Sequence, residues 1–150
     1  MMEARLVAGN LFKKVVESLK DLIRQGTWDC GEKGIQLQAM DSAHVCLVSV
    51  SLEAEGFDRY RCDRSLALGV DMESMSKVLR CAAKDDIIEI STKGDHPDNL
   101  KFTFEATDQE RISEYEMKLM NIEEEHLQIP DTDYAVTVKV VGGAALYSSV

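Results

Sequence analysis

The segment Asp41-Ser42-Ala43-His44 holds the residue types of a hydrolytic triad: a hydroxyl to attack, an imidazole to take its proton, and a carboxylate to orient the imidazole. A working triad draws those side chains from separate elements and adds an oxyanion hole. Four adjacent residues do neither, so the segment reads as a turn in which Asp41 and Ser42 bond the local backbone. A hydrolase using Ser42 and His44 stays open as an alternative that Ser42→Ala would test. His44, His96 and His126 have no His or Cys partner at metal-ligand spacing, and the EEEH run Glu123–His126 reads as a solvated acidic stretch. Cys30, Cys46, Cys62 and Cys81 form no C-x-x-C pair and sit in or beside apolar runs. They read as buried free thiols of a reducing compartment, not as a disulfide framework or zinc site. In Tyr60-Arg61-Cys62-Asp63-Arg64 the simplest reading is an Asp63–arginine pair at a strand end. No Gly-rich phosphate loop is present, so nothing points to nucleotide chemistry. The expectation is a protein with no catalytic residues, metal or cofactor.

The cations carry more. On a helix from about Asn10 to Arg24, NLFKKVVESLKDLIR, the side chains of Lys13, Lys20 and Arg24 fall within about 40° of one another. Lys14 lies on the other flank, with Glu17 and Asp21 between. On a second helix from about Asp71 to Ala83, DMESMSKVLRCAA, the spacing i, i+3, i+7 puts Lys77, Arg80 and Lys84 on one face. The formal charge of the chain is -10, so these faces run against the overall balance. Beyond about 8 Å charges are largely screened at physiological salt, so local arrangement decides what such a face attracts. Two helices with the same asymmetry point to a polyanion held through its phosphates, without sequence readout. No aromatic residues interleave the stripes, which argues against base stacking.

The elements that must present these residues follow from periodicity. Glu3–Ala8 alternates as a strand, Asn10 is a plausible N-cap, and Gly26 is a stop signal for the first helix. Leu11, Phe12, Val15, Val16, Leu19, Leu22 and Ile23 recur as one buried helical face. Strands are expected over Thr27–Cys30, Ile35–Met40 and Val45–Leu52. The second half repeats the order. Strands Asp58–Cys62 and Leu66–Val70 lead into a helix started by Asp71 or Ser74, which buries Met75, Val78, Leu79 and Ala82. Strands Ile87–Thr92, Leu100–Glu105 and Arg111–Leu119 follow. A duplicated β-α-β-β-β unit describes both halves, an α+β fold with two helices on one face of antiparallel sheets. Then Met120–Asp133 fits neither period and reads as an acidic connector, and Tyr134–Val141 alternates as a new strand. At 150 residues the chain has room for one well-buried domain. No apolar run approaches the roughly 20 residues of a membrane span. The N-terminus has no secretory h-region, and no Lys/Arg cluster marks nuclear import.

The segments EARLV, KKVVESLKDLI, LQAMDSAHVCLV, EGFDRYRCDRSLALGV, MSKVLRCA, DDIIEI, FEATDQERISEYEMKLM and HLQIP, covering nearly all of residues 1–140, closely resemble proliferating cell nuclear antigen, the eukaryotic sliding DNA clamp family. The resemblance implies the DNA-clamp fold: three subunits ring a duplex, helices lining the hole. It implies an N-terminal clamp domain at 1–118, an interdomain connector at 119–134, and a truncated start of a second clamp domain at 135–150. Lys13, Lys14, Lys20, Lys77 and Arg80 match the family's DNA-facing residues, Arg80 standing where lysine is common; Arg24 and Lys84 are added from the helical faces. Met40, His44, Val45 and Leu47 match the loop side of the pocket that docks peptides of DNA polymerases and other clamp-binding proteins. Leu127, Ile129 and Pro130 match its connector side. Strand Glu110–Leu119, with Tyr115, Met117 and Leu119 on one face, matches the edge that meets the next subunit. The family further implies a nuclear DNA polymerase processivity factor of replication and repair, homotrimeric if a second domain is present. The tail VGGAALYSSV departs from the pattern. That keeps a second reading, of another class: a truncated interaction module that binds clamp subunits or client peptides without encircling DNA.

Overall fold

A computed structural model describes residues 1–108, 110–122, 135–136, 138–139 and 147–148. Its elements run β1 (Met2–Leu6), α1 (Gly9–Leu19), β2 (Gln25–Gly31), β3 (Gly34–Met40), β4 (Leu47–Glu53), β5 (Arg59–Cys62), β6 (Leu66–Asp71), α2 (Met72–Arg80), β7 (Ile87–Thr92), β8 (Asn99–Glu105) and β9 (Ile112–Lys118). A short pair, β10 (Val138–Lys139) with β11 (Tyr147–Ser148), follows. The fold is α+β with antiparallel sheets, as expected.

The strands form two main sheets, ordered β5-β1-β7-β8-β9 and β4-β3-β2-β6. Each half of the chain lends the strand before its helix to the other: β1 pairs with β7, and β6 pairs with β2. Neither half therefore completes a sheet alone. One face of each sheet is apolar, since residues alternate across the pleat. Leu100, Phe102 and Phe104 of β8 are buried, as are Ile88 and Ile90 of β7. They join Phe12, Val16, Leu19, Trp28, Met72, Met75 and Leu79 in one continuous core. Phe12 and Trp28 stack with centroids 5.9 Å apart, tilted by 57°, a geometry that adds about 1 kcal/mol to the area they bury. Among the described residues no helix is long and apolar enough to cross a membrane.

The termini of α1 differ from the sequence reading. The helix begins at Gly9 behind Ala8, with no side-chain cap, and Asn10 lies inside it. Packing sets this start: a Cβ on Gly9 would fall 2.5 Å from Ile88 Cγ1 and 2.9 Å from Asp86 O. At the other end the Leu22 and Ile23 N–H groups both bond Leu19 O, a tight turn that swings Ile23 into the core. The helix stops there, five residues before the expected Arg24. Leu22 is consequently exposed, and Leu11 is an exposed flank of the helix, so neither is part of the buried face. Of the two starts left open for the second helix, Asp71 is the cap, its carboxylate accepting from Ser74 N at 2.7 Å. It ends at Arg80, short of Ala83.

Candidate nucleic-acid interface and docking surfaces

The two helices lie side by side, tied by polar contacts as well as by their apolar faces. Lys13 Nζ donates to Ala82 O at 2.9 Å, satisfying a carbonyl just past the end of α2 that no helical N–H can reach. Arg80 Nε stands 3.5 Å from Glu17 Oε1. Beyond this seam a hollow of about 500 Å³ opens, lined by Lys20, Arg24, Lys77 and Arg80 together with Asp21, Glu73, Ser42 and Ser76. Four of the seven expected cations thus converge from both helices. Two acids share the hollow, in pairs Lys20–Asp21 at 3.3 Å and Lys77–Glu73 at 2.7 Å. The hydrogen bond from Lys77 holds the Glu73 carboxyl below its ordinary range. The Lys77–Glu73 pair is exposed on both sides and Asp21 is exposed beside half-buried Lys20, and ion pairs so open to solvent add little to stability.

The remaining cations are placed differently from the helical-wheel reading. Arg24 lies beyond the end of α1, and it reaches the hollow through the turn and not through helical periodicity. Lys84 lies beyond α2, off the Lys77–Arg80 stripe, because the helix has ended at Arg80. It joins Lys14 around a second hollow of about 460 Å³ whose floor includes Val7 and Leu11. Lys13 is half-buried and occupied by Ala82. The expected pair of stripes is therefore a four-cation hollow, a two-lysine hollow and one structural lysine.

The loop joining β3 to β4 is organised by a single carboxylate. Asp41 accepts from the backbone N–H groups of Ala43 (3.2 Å), Val45 (2.8 Å) and Cys46 (2.8 Å). The bonds from Cys46 and Val45 hold its carboxyl below the usual range. They also delay β4 to Leu47, two residues after the expected Val45. The carboxylate thus serves the backbone and not an imidazole, so no triad relay is assembled. Met40 and Leu47 face each other in register at the base of the loop. At its tip His44 has a left-handed backbone, φ 54°, and Val45 is 85% exposed. These four residues stand on one hairpin end. Leu127, Ile129 and Pro130, and most of the expected connector, lie outside the described residues.

Tyr115, Met117 and Leu119 do alternate onto one face of β9, and that face is the core. Met117 is 7% exposed. The opposite row, Ile112, Glu114, Glu116 and Lys118, is exposed. Leu119 N bonds Asp98 O and Ala106 N bonds Arg111 O, so odd-numbered residues of β9 point their backbone groups at β8. The even-numbered ones point theirs at the edge of the sheet, which is open among the described residues. What β9 offers a partner is that edge, flanked by half-covered Tyr115 and Leu119. Past it, Met120 N bonds Gly69 O at 2.8 Å, and a side chain at 69 would collide with the Met120 carbonyl.

The cysteines are all free, but only Cys30 is buried; Cys46 and Cys81 are exposed and Cys62 is half-buried. Burial pushes the Cys30 thiol up to about 12, which leaves it unreactive. Exposure at 46 follows from the Asp41 loop, and at 81 from the end of α2. The Asp63–arginine pair is present, Arg61 Nε to Asp63 Oδ1 at 2.7 Å.

One site residue had no sequence signal as part of the basic surface: Ser42, which is brought from the β3–β4 loop to the hollow by tertiary packing alone. A family model described as proliferating cell nuclear antigen, N-terminal domain, matches residues 1–127. The match takes in both helices, both main sheets and the Asp41 loop. On that match, over most of its length, the chain belongs to the proliferating cell nuclear antigen family.

Proposed function

We propose that this chain serves as a DNA sliding clamp subunit, a polymerase processivity factor that contacts duplex DNA through α1 and α2 and docks partner proteins at the Asp41 loop. A role in the clamp family follows from membership. Membership also supports action in replication and repair; a nuclear location, and a homotrimeric ring if a second domain is present, complete the proposal. Membership supports, too, reading the twice-occurring order strand–helix–three strands as a duplicated unit. The observation that carries the DNA contact is the convergence of Lys20, Arg24, Lys77 and Arg80 on one hollow in a chain of net charge -10. Cations held there release counterions from a duplex without reading its bases. The apolar residues at the loop, Met40, Val45 and Leu47, suit a peptide anchor.

The test is DNA binding as a function of salt, wild type against Lys20→Glu/Lys77→Glu. The variant should bind more weakly, with its log–log slope flatter by about two, near 0.9 per lost phosphate contact. An unchanged slope removes the phosphate contact. Molar mass in solution at several concentrations separates the readings: a ring-sized assembly supports encirclement. A monomer that still binds clamp subunits or client peptides supports the interaction-module alternative, for which the open β9 edge is the structural support.

A further inference from the structure

We propose that Ser42 is a phosphoacceptor whose phosphoryl group folds into the cationic hollow, closing it to other phosphates. Ser42 is exposed, lines the hollow beside Lys20, Arg24, Lys77 and Arg80, and makes no hydrogen bond among the described residues. The turn does not need its hydroxyl, because Asp41 alone holds the loop through the N–H groups of Ala43, Val45 and Cys46. Esterifying Ser42 therefore breaks nothing that shapes the loop. A hollow of about 500 Å³ is small enough that its lining charges lie within about one screening length, ~8 Å, of its middle. Four cations face two acids there, Asp21 and Glu73, and each acid is already ion-paired with a lysine. A phosphoserine brings a charge of about -1.5 to -2 and three acceptor oxygens, enough to balance the excess.

The transfer requires a nucleoside triphosphate and a protein kinase. Ser42 Oγ bonds the γ-phosphorus and gives up its proton to the kinase's base. The bond from that phosphorus to the β-phosphate oxygen breaks, and the nucleoside diphosphate leaves. The consequence spans two surfaces, since Ser42 sits between Met40 and His44 on the loop and also faces the helices. One modification would withdraw the cations from DNA and tether the docking loop to α1 and α2. The consequence for DNA rests on the function proposed above; the electrostatic capture does not.

The test uses the whole chain with phosphoserine installed at position 42, followed by phosphorus NMR across pH. Facing the phosphate are Lys20, Asp21 and Arg24 from α1 and its turn, Glu73, Lys77 and Arg80 from α2, and Asp41 and His44 from its own loop. Capture by the cations lowers the second phosphate pKa by about one unit from its ordinary value near 6. Arg24→Glu/Lys77→Glu in the phosphorylated chain returns it toward that value. An ordinary pKa in the folded phosphoprotein overturns the inference whatever the chain does with DNA. Phosphorylation should also weaken duplex binding and flatten its salt slope by about two. If the unmodified chain binds no DNA, the proposed function fails and the titration still decides the capture. Mass spectrometry of the chain recovered from dividing eukaryotic cells should find phosphate on Ser42; its absence there overturns the assignment as a modification site.

Discussion

The two helices present the same kind of surface and are held in place by different means. α2 is finished at its ends: Asp71 caps it, Glu73 sits in the first turn, and Lys77 and Arg80 sit in the last. Each charge complements the helix dipole. α1 has no side-chain cap, no acid in its first turn and no base in its last. It is held by its buried face, Phe12, Val16 and Leu19, and by the seating of Gly9 against Ile88. The difference shows where charge can be spared. The lysines of α1 are mid-helix, where they bridge to α2 or face a hollow, and stability comes from packing instead.

The largest effect that could break this comparison is in the core. Phe12→Ala should cost about 3–5 kcal/mol, the range for deleting a buried aromatic ring, since Phe12 is 3% exposed and packs on Trp28. Urea unfolding measures it. A loss under about 1 kcal/mol would mean that α1 is held by something other than its buried face. The cap of α2 is a smaller matter: Asp71→Ala should cost about 1 kcal/mol. That contribution depends on pH in a definite direction. Hydrogen bonds from the Ser74 hydroxyl and N–H hold the Asp71 carboxyl below its ordinary value. The stabilisation is therefore fully present above the unfolded carboxylate pKa, near 4, and is lost as pH falls through the lower folded value. The gap between wild type and Asp71→Ala should close in that acid window and stay constant from pH 5 to 8.

The same contrast explains what could be read beforehand. Asp71 was legible as a helix start because a side-chain cap is written in the local sequence. Gly9 was not, since its role depends on Ile88, a residue from the other half of the chain. The end of α1 was missed for a related reason. Leu22 and Ile23 continue a helical spacing, while the backbone has already turned on Leu19 O to bury Ile23. That turn, and the end of α2 at Arg80, are why Arg24 and Lys84 respectively are grouped with their actual neighbours by tertiary structure and not by period. In β9 the alternation of Tyr115, Met117 and Leu119 was visible, but a period of two does not say which face meets the core. Asp41 was legible as a backbone-bonding turn residue, a local device like the Asp71 cap.

A modest gain should follow from giving α1 the cap it lacks. Ala8→Asp places an acceptor before the free N–H groups of the first turn. Ala8 has φ -89°, ψ 51°, away from the extended geometry preferred at caps, so the gain should stop near 0.5 kcal/mol, the low end of capping effects. A thermal melt that rises slightly supports a helix whose ends were unfinished. A fall would show that Ala8, which borders the hollow shared by Lys14 and Lys84, is constrained by packing as Gly9 is.

The smallest expected change in stability is at Glu73, and it separates stability from function most cleanly. Glu73→Gln removes the 2.7 Å partner of Lys77 while keeping the shape of the side chain. Both side chains are well exposed, at 69% and 65%, where ion pairs add little to folding. The unfolding midpoint should barely move. The hollow, however, loses one of its two acids, and Lys77 loses its ion-pair partner, so the excess of positive charge there grows by one. If that hollow contacts phosphates, duplex binding should tighten and its salt dependence steepen, the opposite of the Lys20→Glu/Lys77→Glu result. If binding is unmoved while the double reversal abolishes it, Lys77 is set against Glu73 to order α2, and the phosphate contact belongs to Lys20, Arg24 and Arg80.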